Sequence, residues 1–135
     1  MKKVITVLFA LTCVLFSGTS LANEVEIVKV MIEPSANRWT FHVTLKHDDT
    51  GWQHYADGWR IVDDKGKELG FRKLWHPHVE EQPFTRTLAN VLVPKDKNII
   101  YIEAHDKVHG WSKQRVRINM KEDKGPRYEI RRKVN

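Results

Sequence analysis

Cysteine is almost absent from this 135-residue chain. The single cysteine, Cys13, lies inside an apolar run near the start. One thiol cannot form an internal disulfide, and zinc sites built from thiolates need several cysteines. Methionine is also scarce, with three residues in the whole chain, so a thioether-rich Cu⁺ site is not expected. Thiol redox chemistry and soft-ligand metal sites are therefore excluded.

Long apolar runs are missing after the first residues. Met1-Lys2-Lys3 is basic, residues 4–16 form an apolar run too short to span a bilayer comfortably, and Ser20-Leu21-Ala22 offers small residues for a signal peptidase. The pattern predicts a signal peptide over residues 1–22 and an exported protein, periplasmic or secreted, without a transmembrane segment after cleavage. An uncleaved anchor is the alternative. Cys13 follows Thr12, which does not match a lipobox, so we assign it to the signal.

Clustered positive charge is missing from the body of the chain. Residues 23–120 carry 15 Lys and Arg against 14 Asp and Glu, whereas residues 121–135 carry six against three. A nucleic-acid groove needs cations grouped along one face, so nucleic-acid binding is not expected. The sequence predicts that residues 121–135 form a basic tail, solvated and partly disordered. Contact of this tail with anionic lipid or an acidic partner is the alternative.

A sustained helical period is also absent, whereas two-residue alternation is frequent. Residues 38–46 alternate apolar and polar side chains, and so do residues 100–105 and 115–120. Alternation in residues 25–33 switches face near Ile27-Val28, as at a β-bulge. About seven such strands with polar turns predict an all-β domain over residues 23–120, an immunoglobulin-like antiparallel β-sandwich. A partly closed β-barrel is the alternative.

Histidines are concentrated between the predicted strands. Six of the seven lie in three stretches, residues 47–54, 76–78 and 105–109. The loops after the second, fourth and sixth strands emerge at one end of such a sandwich, so the sequence predicts that these stretches meet. Neutral imidazoles with nearby carboxylates suit Zn²⁺ or Cu²⁺. The expected ligands are, first, His76, His78, His105 and His109, with His54 and Glu80 as alternates.

Two other functions fit the same loops. Exposed imidazoles that change charge near pH 6.5 would make a pH sensor. Aromatic residues beside the histidines could instead bind a peptide, a glycan or an envelope protein without any metal. The residues expected to make such a surface are Trp52, Tyr55, Trp75, Trp111 and Arg86. The first hypothesis is a periplasmic-type protein that captures or delivers Cu or Zn, and the metal-free interaction module is its competitor.

Catalysis is not expected. Ser112 lies near histidines but lacks the strand–turn–helix setting of a serine nucleophile. Glu80 and Glu81 are adjacent, so in an extended chain they point apart, which is poor geometry for acid–base work on one substrate. A metal-dependent hydrolase is the alternative that stays open, because a three-histidine site can leave a metal position free, but we do not expect it.

The segment from His76-Pro77-His78 through Glu81-Gln82-Pro83-Phe84-Thr85-Arg86 is distinctive, and His109-Gly110-Trp111 follows it. It resembles a family of short exported bacterial β-sandwich proteins with an HPH-x-x-EQPFTR segment and no established activity. The resemblance extends over residues 51–111. It implies a small exported sandwich domain and no particular function.

Overall fold

The structure is a computed structural model that describes residues 23–133. The predicted signal peptide, residues 1–22, lies outside these residues. Nine strands form, and their bounds are β1 (Glu26–Ser35), β2 (Arg38–Lys46), β3 (Ala56–Asp63), β4 (Glu68–Lys73), β5 (Phe84–Val91), β6 (Ile99–Asp106), β7 (Gly110–Asn119), β8 (Lys124–Gly125) and β9 (Tyr128–Ile130). Within residues 23–133, no helical segment has the length and hydrophobicity of a membrane span.

Two sheets pack face to face. One has the strand order β5-β2-β1-β9-β8 and the other β4-β3-β6-β7, with every pairing antiparallel except β1 with β9. The chain crosses between sheets after β2, β4, β5 and β7. The predicted β-sandwich is confirmed, and the partly closed barrel is not what the chain forms.

The core lies between the sheets and follows the alternation seen in the sequence. On β2 the side chains of Phe41, Val43 and Leu45 are completely buried, and on β6 so are Ile100 and Ile102. Side chains alternate between the two faces of a strand, so each strand buries every second residue. Further completely buried side chains come from β1, β3 and β7, namely Ile27, Val30, Ile32, Trp59, Ile61 and Ile118.

A β-bulge interrupts the pairing of β1 with β2. The register shifts between Ile27 and Lys29. The sequence predicts this irregularity from the change of face at Ile27-Val28. An extra residue turns the following side chains to the other face, so Val30 and Ile32 point into the core like Ile27.

The basic tail is more ordered than expected. Residues 128–130 pair in parallel with Val30–Ile32 of β1, and Tyr128 and Ile130 are buried. The expectation of a solvated, partly disordered end is wrong for these residues. Tyr128 and Ile130 lie on the same face of this short strand. Burial of their apolar surface against the core stabilises the strand.

The two ends of the sandwich have different compositions. The hairpin pole contains the β3–β4 turn, residues 64–67, and the β5–β6 connection, residues 92–98, which contact each other through Lys97 and Asp64. The loop pole contains the connections after β2, β4 and β6. Every histidine of the chain except His42 lies at or beside the loop pole.

Candidate metal centre

Three connections meet at the loop pole, as the sequence predicts. The backbone N–H of His78, in the β4–β5 connection, donates to the Asp49 Oδ2 atom of the β2–β3 connection at 2.7 Å. His54 Nε2 lies 3.3 Å from Oδ1 of Asp106, at the end of β6. Lys107 Nζ, in the β6–β7 connection, donates to the Trp52 carbonyl at 3.0 Å. Side chains distant in sequence are thus brought into one small volume.

The centre of this volume is a histidine–aspartate cluster made of His47, His54 and Asp106. Each residue offers one ligand atom, and these atoms all lie within 4.8 Å of one another. The side chains of His47 and Asp106 are completely buried, and that of His54 is 18% exposed. In tetrahedral zinc with bonds near 2.0–2.1 Å, neighbouring ligand atoms are about 3.4 Å apart. The 3.3 Å between His54 and Asp106 already matches that spacing.

His109 lies beside the cluster and contacts two of its members, His54 and Asp106. Its ring centroid is 5.1 Å from that of His54, and its Nδ1 is 3.1 Å from Asp106 Oδ1. The β6–β7 turn places it there: the N–H groups of Val108 and His109 donate to Asp106 Oδ1 at 2.9 and 2.7 Å. Gly110 completes the turn with φ of 74°, a conformation that favours glycine.

Polar atoms of the cluster are buried without hydrogen-bond partners. These atoms are Oδ2 of Asp106 and Nε2 of His54, which approaches Asp106 Oδ1 without hydrogen-bond geometry. A buried polar group left unpaired costs about 1–3 kcal/mol. A cation bound between the carboxylate and the imidazole would satisfy both groups, and this fits the donor set of a divalent transition metal.

His47 of the cluster forms a buried ion pair with Asp49. His47 Nδ1 donates to Asp49 Oδ1 at 2.5 Å, and His47 Nε2 donates to the Asn23 carbonyl at 2.8 Å. Both partners can only accept, so the ring carries two protons. Burial alone would lower the pKa of His47, but the Asp49 carboxylate and the Asn23 carbonyl outweigh it and raise that pKa. Burial would raise the pKa of Asp49, but His47 and the N–H groups of His78 and Ala56 lower it.

Because both ring nitrogens of His47 are hydrogen-bonded, His47 must give up one of these bonds to bind a metal. The ring would lose a proton and exchange the Asn23 carbonyl for the metal at Nε2. Its Nδ1–H would still donate to Asp49. A carboxylate behind a metal-bound histidine fixes the ring and raises its basicity, which is a common arrangement in zinc sites.

His76 and His78 form a separate pair. Their ring centroids are 4.5 Å apart, and His78 stacks on Phe84 at 3.9 Å with nearly parallel rings. Arg86 Nη2 donates to His78 Nε2 at 2.8 Å, so this nitrogen is an acceptor and the ring is neutral. Burial and the Arg86 cation lower the pKa of His78. His78 therefore holds Arg86 and the loop together, and its Nε2 is already in use.

His105 faces away from the cluster. Its Nδ1 is 2.5 Å from Asp57 Oδ1, and its ring meets Trp111 edge-on with centroids 4.9 Å apart. Neighbouring residues on a strand point to opposite faces, so Asp106 turns inward and His105 outward. Of the four histidines expected first, the structure brings only His109 to the cluster, where the alternate His54 joins it. The remaining alternate, Glu80, is exposed.

The aromatic residues of the loop pole divide into exposed and buried ones. Trp52 and Trp75 are 64% and 71% exposed, whereas Tyr55 is buried beneath the Lys107 ammonium group. The Arg60 guanidinium stacks on the Trp111 ring, with Cζ 3.8 Å from the ring centroid. Arg86 binds His78 and approaches Glu81 at 3.4 Å. Trp52 and Trp75 are thus the members of the predicted surface that are most accessible to a partner.

The sequence contains a signal for the two cluster residues that were not expected as ligands. Phe41, Val43 and Leu45 point inward, and His47 is the next residue of that face. Asp106 continues the inward face of β6 in the same way. An ionisable residue that ends a row of inward apolar side chains is placed at the edge of the core, where burial changes its chemistry.

The chain is similar to a protein of Halomicrobium mukohataei named "Putative lipoprotein". The two are 35% identical over 98 residues, which is 72% of this chain and 48% of that protein. The chain therefore spans about half the length of this curated relative. No protein-family model and no solved structure matches the chain significantly.

Proposed function

We propose that this protein is an exported binding protein whose loop pole binds a divalent transition metal, Zn²⁺ or Cu²⁺. The observation that carries the proposal is the convergence of His47, His54 and Asp106, with His109 alongside, around buried polar atoms that have no hydrogen-bond partner. Imidazole nitrogen with carboxylate oxygen is a donor set that both ions accept. The ligand set is thus His47, His54, Asp106 and His109, in place of the four histidines first expected.

Capture or delivery of the metal is the role that fits. The ligands lie on three connections that a rigid sandwich holds together, and His109 on the outer side is about one-third exposed. A metal could reach the cluster from that side. An exported location is supported by the basic and apolar start of the chain and by the relative named as a lipoprotein. The periplasm is the compartment that we propose.

Direct metal titration tests the proposal. The purified chain, carrying no polyhistidine tag, is freed of metal with a chelator and titrated calorimetrically with Zn²⁺ and with Cu²⁺. We expect stoichiometric binding that is lost in His54→Ala and in Asp106→Asn. His76→Ala is the matched control, since it removes an exposed histidine of the same pole, and it should bind as the unmodified chain does. Absence of stoichiometric binding of either ion would refute the proposal.

A metal-free interaction module is the second candidate, and exposed apolar side chains favour it. Trp52, Trp75, Val79 and Val108 are each more than half exposed, and all lie in the three connections of the loop pole. Aromatic side chains left in water at one end of a domain are typical of a surface that stacks on a partner. Binding of an envelope protein or glycan that persists in chelator and is lost in Trp75→Ser would favour this candidate.

A further inference from the structure

A cleft of about 440 Å³ lies between strand β7 and the turn that joins β8 to β9. It shares no residue with the metal cluster, so a ligand could bind there whether or not a metal is bound at the loop pole. Its walls are formed mainly by Arg115, Arg117 and Asn119 of β7 and by Gly125, Arg127 and Tyr128 across from them. A cleft of this size lies in the range of sites that hold small ligands or short peptide segments.

Strand β7 presents free backbone to this cleft. It is the last strand of its sheet, so one of its edges pairs with β6 and the other with no strand of the described chain. The N–H of Met120 donates to the Asn98 carbonyl, which places the even-numbered residues in the hydrogen-bonded positions toward β6. Hydrogen-bonded and open positions alternate in an antiparallel pair. The N–H and C=O groups of Arg115 and Arg117 therefore point out toward the cleft.

The free edge is closed at both ends by side chains that stand in for a strand. At one end, the Glu24 carboxylate accepts from the Lys113 N–H at 3.0 Å. At the other end, the Tyr128 hydroxyl accepts from the Asn119 N–H and donates to the Asn119 carbonyl at 3.3 and 3.4 Å. The open stretch between these two closures is short and has a fixed length.

Positive charge surrounds the open stretch. The cleft is lined by Arg115, Arg117 and Arg127 against one acidic residue, Glu122. Arg115 approaches Glu103 and Arg127 binds Glu26, while Arg117 makes no ion pair with any residue in 23–133. A second copy of this chain pairing edge to edge through β7 would bring the arginines of the two copies together, and the repulsion disfavours that occupant.

We propose that the β7 edge binds a short, extended, acidic peptide segment of a partner protein by strand addition. The backbone groups of Arg115 and Arg117 supply main-chain hydrogen bonds to the segment. The Arg117 and Arg127 guanidinium groups select carboxylate side chains that alternate along it, since successive residues of a strand face opposite sides. The closures by Glu24 and Tyr128 limit the added strand to a few residues.

A capped synthetic peptide, acetyl-Val-Glu-Val-Glu-Val-amide, tests the inference by NMR titration of the ¹⁵N-labelled chain. Shifts should concentrate in the amides of β7 and of residues 125–128. The same peptide methylated on its glutamate backbone nitrogens, and the lysine version acetyl-Val-Lys-Val-Lys-Val-amide, should each bind at least about tenfold more weakly, which corresponds to about 1.4 kcal/mol.

Two variants of the chain separate charge from backbone. Arg117→Glu should weaken the acidic peptide at least about tenfold. Arg117→Pro removes an N–H that β6 does not use, so β7 should still fold. The bound peptide would lose the hydrogen bond that this N–H donates. Lys95→Glu, at the hairpin pole, is the control for net charge and should leave binding unchanged. Equal affinity for the acidic, basic and methylated peptides would overturn the inference. So would shifts centred on the loop pole, or sedimentation showing a dimer that Arg117→Glu abolishes.

Discussion

At the hairpin pole, the buried Asp63 carboxylate has a partner for each oxygen. Its Oδ1 accepts from the N–H groups of Lys65 and Lys67 at 2.9 Å each, and its Oδ2 lies 3.7 Å from Lys97 Nζ. At the loop pole, the buried Asp106 carboxylate has every donor gathered on Oδ1, and Oδ2 has none. Both aspartates end an inward-facing strand, yet only Asp63 has a hydrogen-bond or ion-pair partner for each oxygen.

This difference separates a structural turn from a candidate binding site. The Asp63 carboxylate needs no external ligand, because two backbone N–H groups of its turn and the Lys97 ammonium group are its partners. Three of the six buried side-chain polar atoms that lack a hydrogen-bond partner in residues 23–133 belong to the loop pole: His54 Nε2, His78 Nδ1 and Asp106 Oδ2. Buried polar groups are normally paired, so His54 Nε2 and Asp106 Oδ2 are the atoms that the proposed metal would satisfy.

The largest expected effect is that of Asp49→Ala. The substitution leaves the His47 imidazolium buried without its counter-ion and removes the acceptor of the Ala56 and His78 N–H groups. Removing one partner of a buried ion pair costs about 3–5 kcal/mol. Urea denaturation followed by circular dichroism measures the loss. A loss below about 1 kcal/mol would show that the pair does not support the loop pole.

The second effect is stabilisation of the folded chain by a metal bound at the loop pole. Zn²⁺ at a free concentration of about 100 times its Kd should stabilise the folded chain by about 2.7 kcal/mol. For a domain of this size that raises Tm by about 10 °C or more. Asp106→Asn should abolish the increase and Asp63→Asn should keep it, with calorimetric melting as the measurement. An equal increase in both variants would mean that the ion binds elsewhere.

The third effect is a pH dependence at the hairpin pole. The pKa of Asp63 lies below its usual 3.8, mainly because the carboxylate accepts from the backbone N–H of Lys67. The backbone N–H of Lys65 and the Lys97 cation lower that pKa further. A lowered pKa in the folded state adds stability above the unfolded-state pKa, and that stability is lost as pH falls through the folded-state pKa. Asp63→Asn should therefore melt below the unmodified chain at pH 7. The two melting temperatures should converge as pH falls below about 3.8. A gap that stays constant down to pH 2 would show that charge is not the cause.

The architecture could be predicted from the sequence because alternation is local and unambiguous. The inward faces of β2 and β6 and the bulge near Ile27 each follow from a few adjacent residues. The β9 strand could not be found in this way, because three residues between charged neighbours carry too short a pattern. Its pairing with β1 depends on a free edge that only the folded sandwich has.

The candidate site could be predicted only to the level of its loops. Chain topology places the three connections at one pole, but which rings converge depends on side-chain direction. His105 and His109 are four residues apart, yet His105 lies on the outward face of β6 and His109 lies in the turn after it. The His76–His78 pair is close in sequence and space, but Arg86 donates to Nε2 of His78 and ties that ring into the loop. That contact between residues eight positions apart has no sequence signature.

The smallest effect is expected at the exposed aromatic residues of the loop pole. Trp75 is 71% exposed, and the Lys73 ammonium group lies 5.9 Å from its ring. Substitutions at such surface positions usually change stability by no more than about 0.5 kcal/mol, so Trp75→Ser should leave the urea midpoint almost unchanged. A loss above about 1 kcal/mol would assign Trp75 a packing role. Its exposure would then stop supporting an interaction surface, and the metal cluster would be left as the only function favoured at the loop pole.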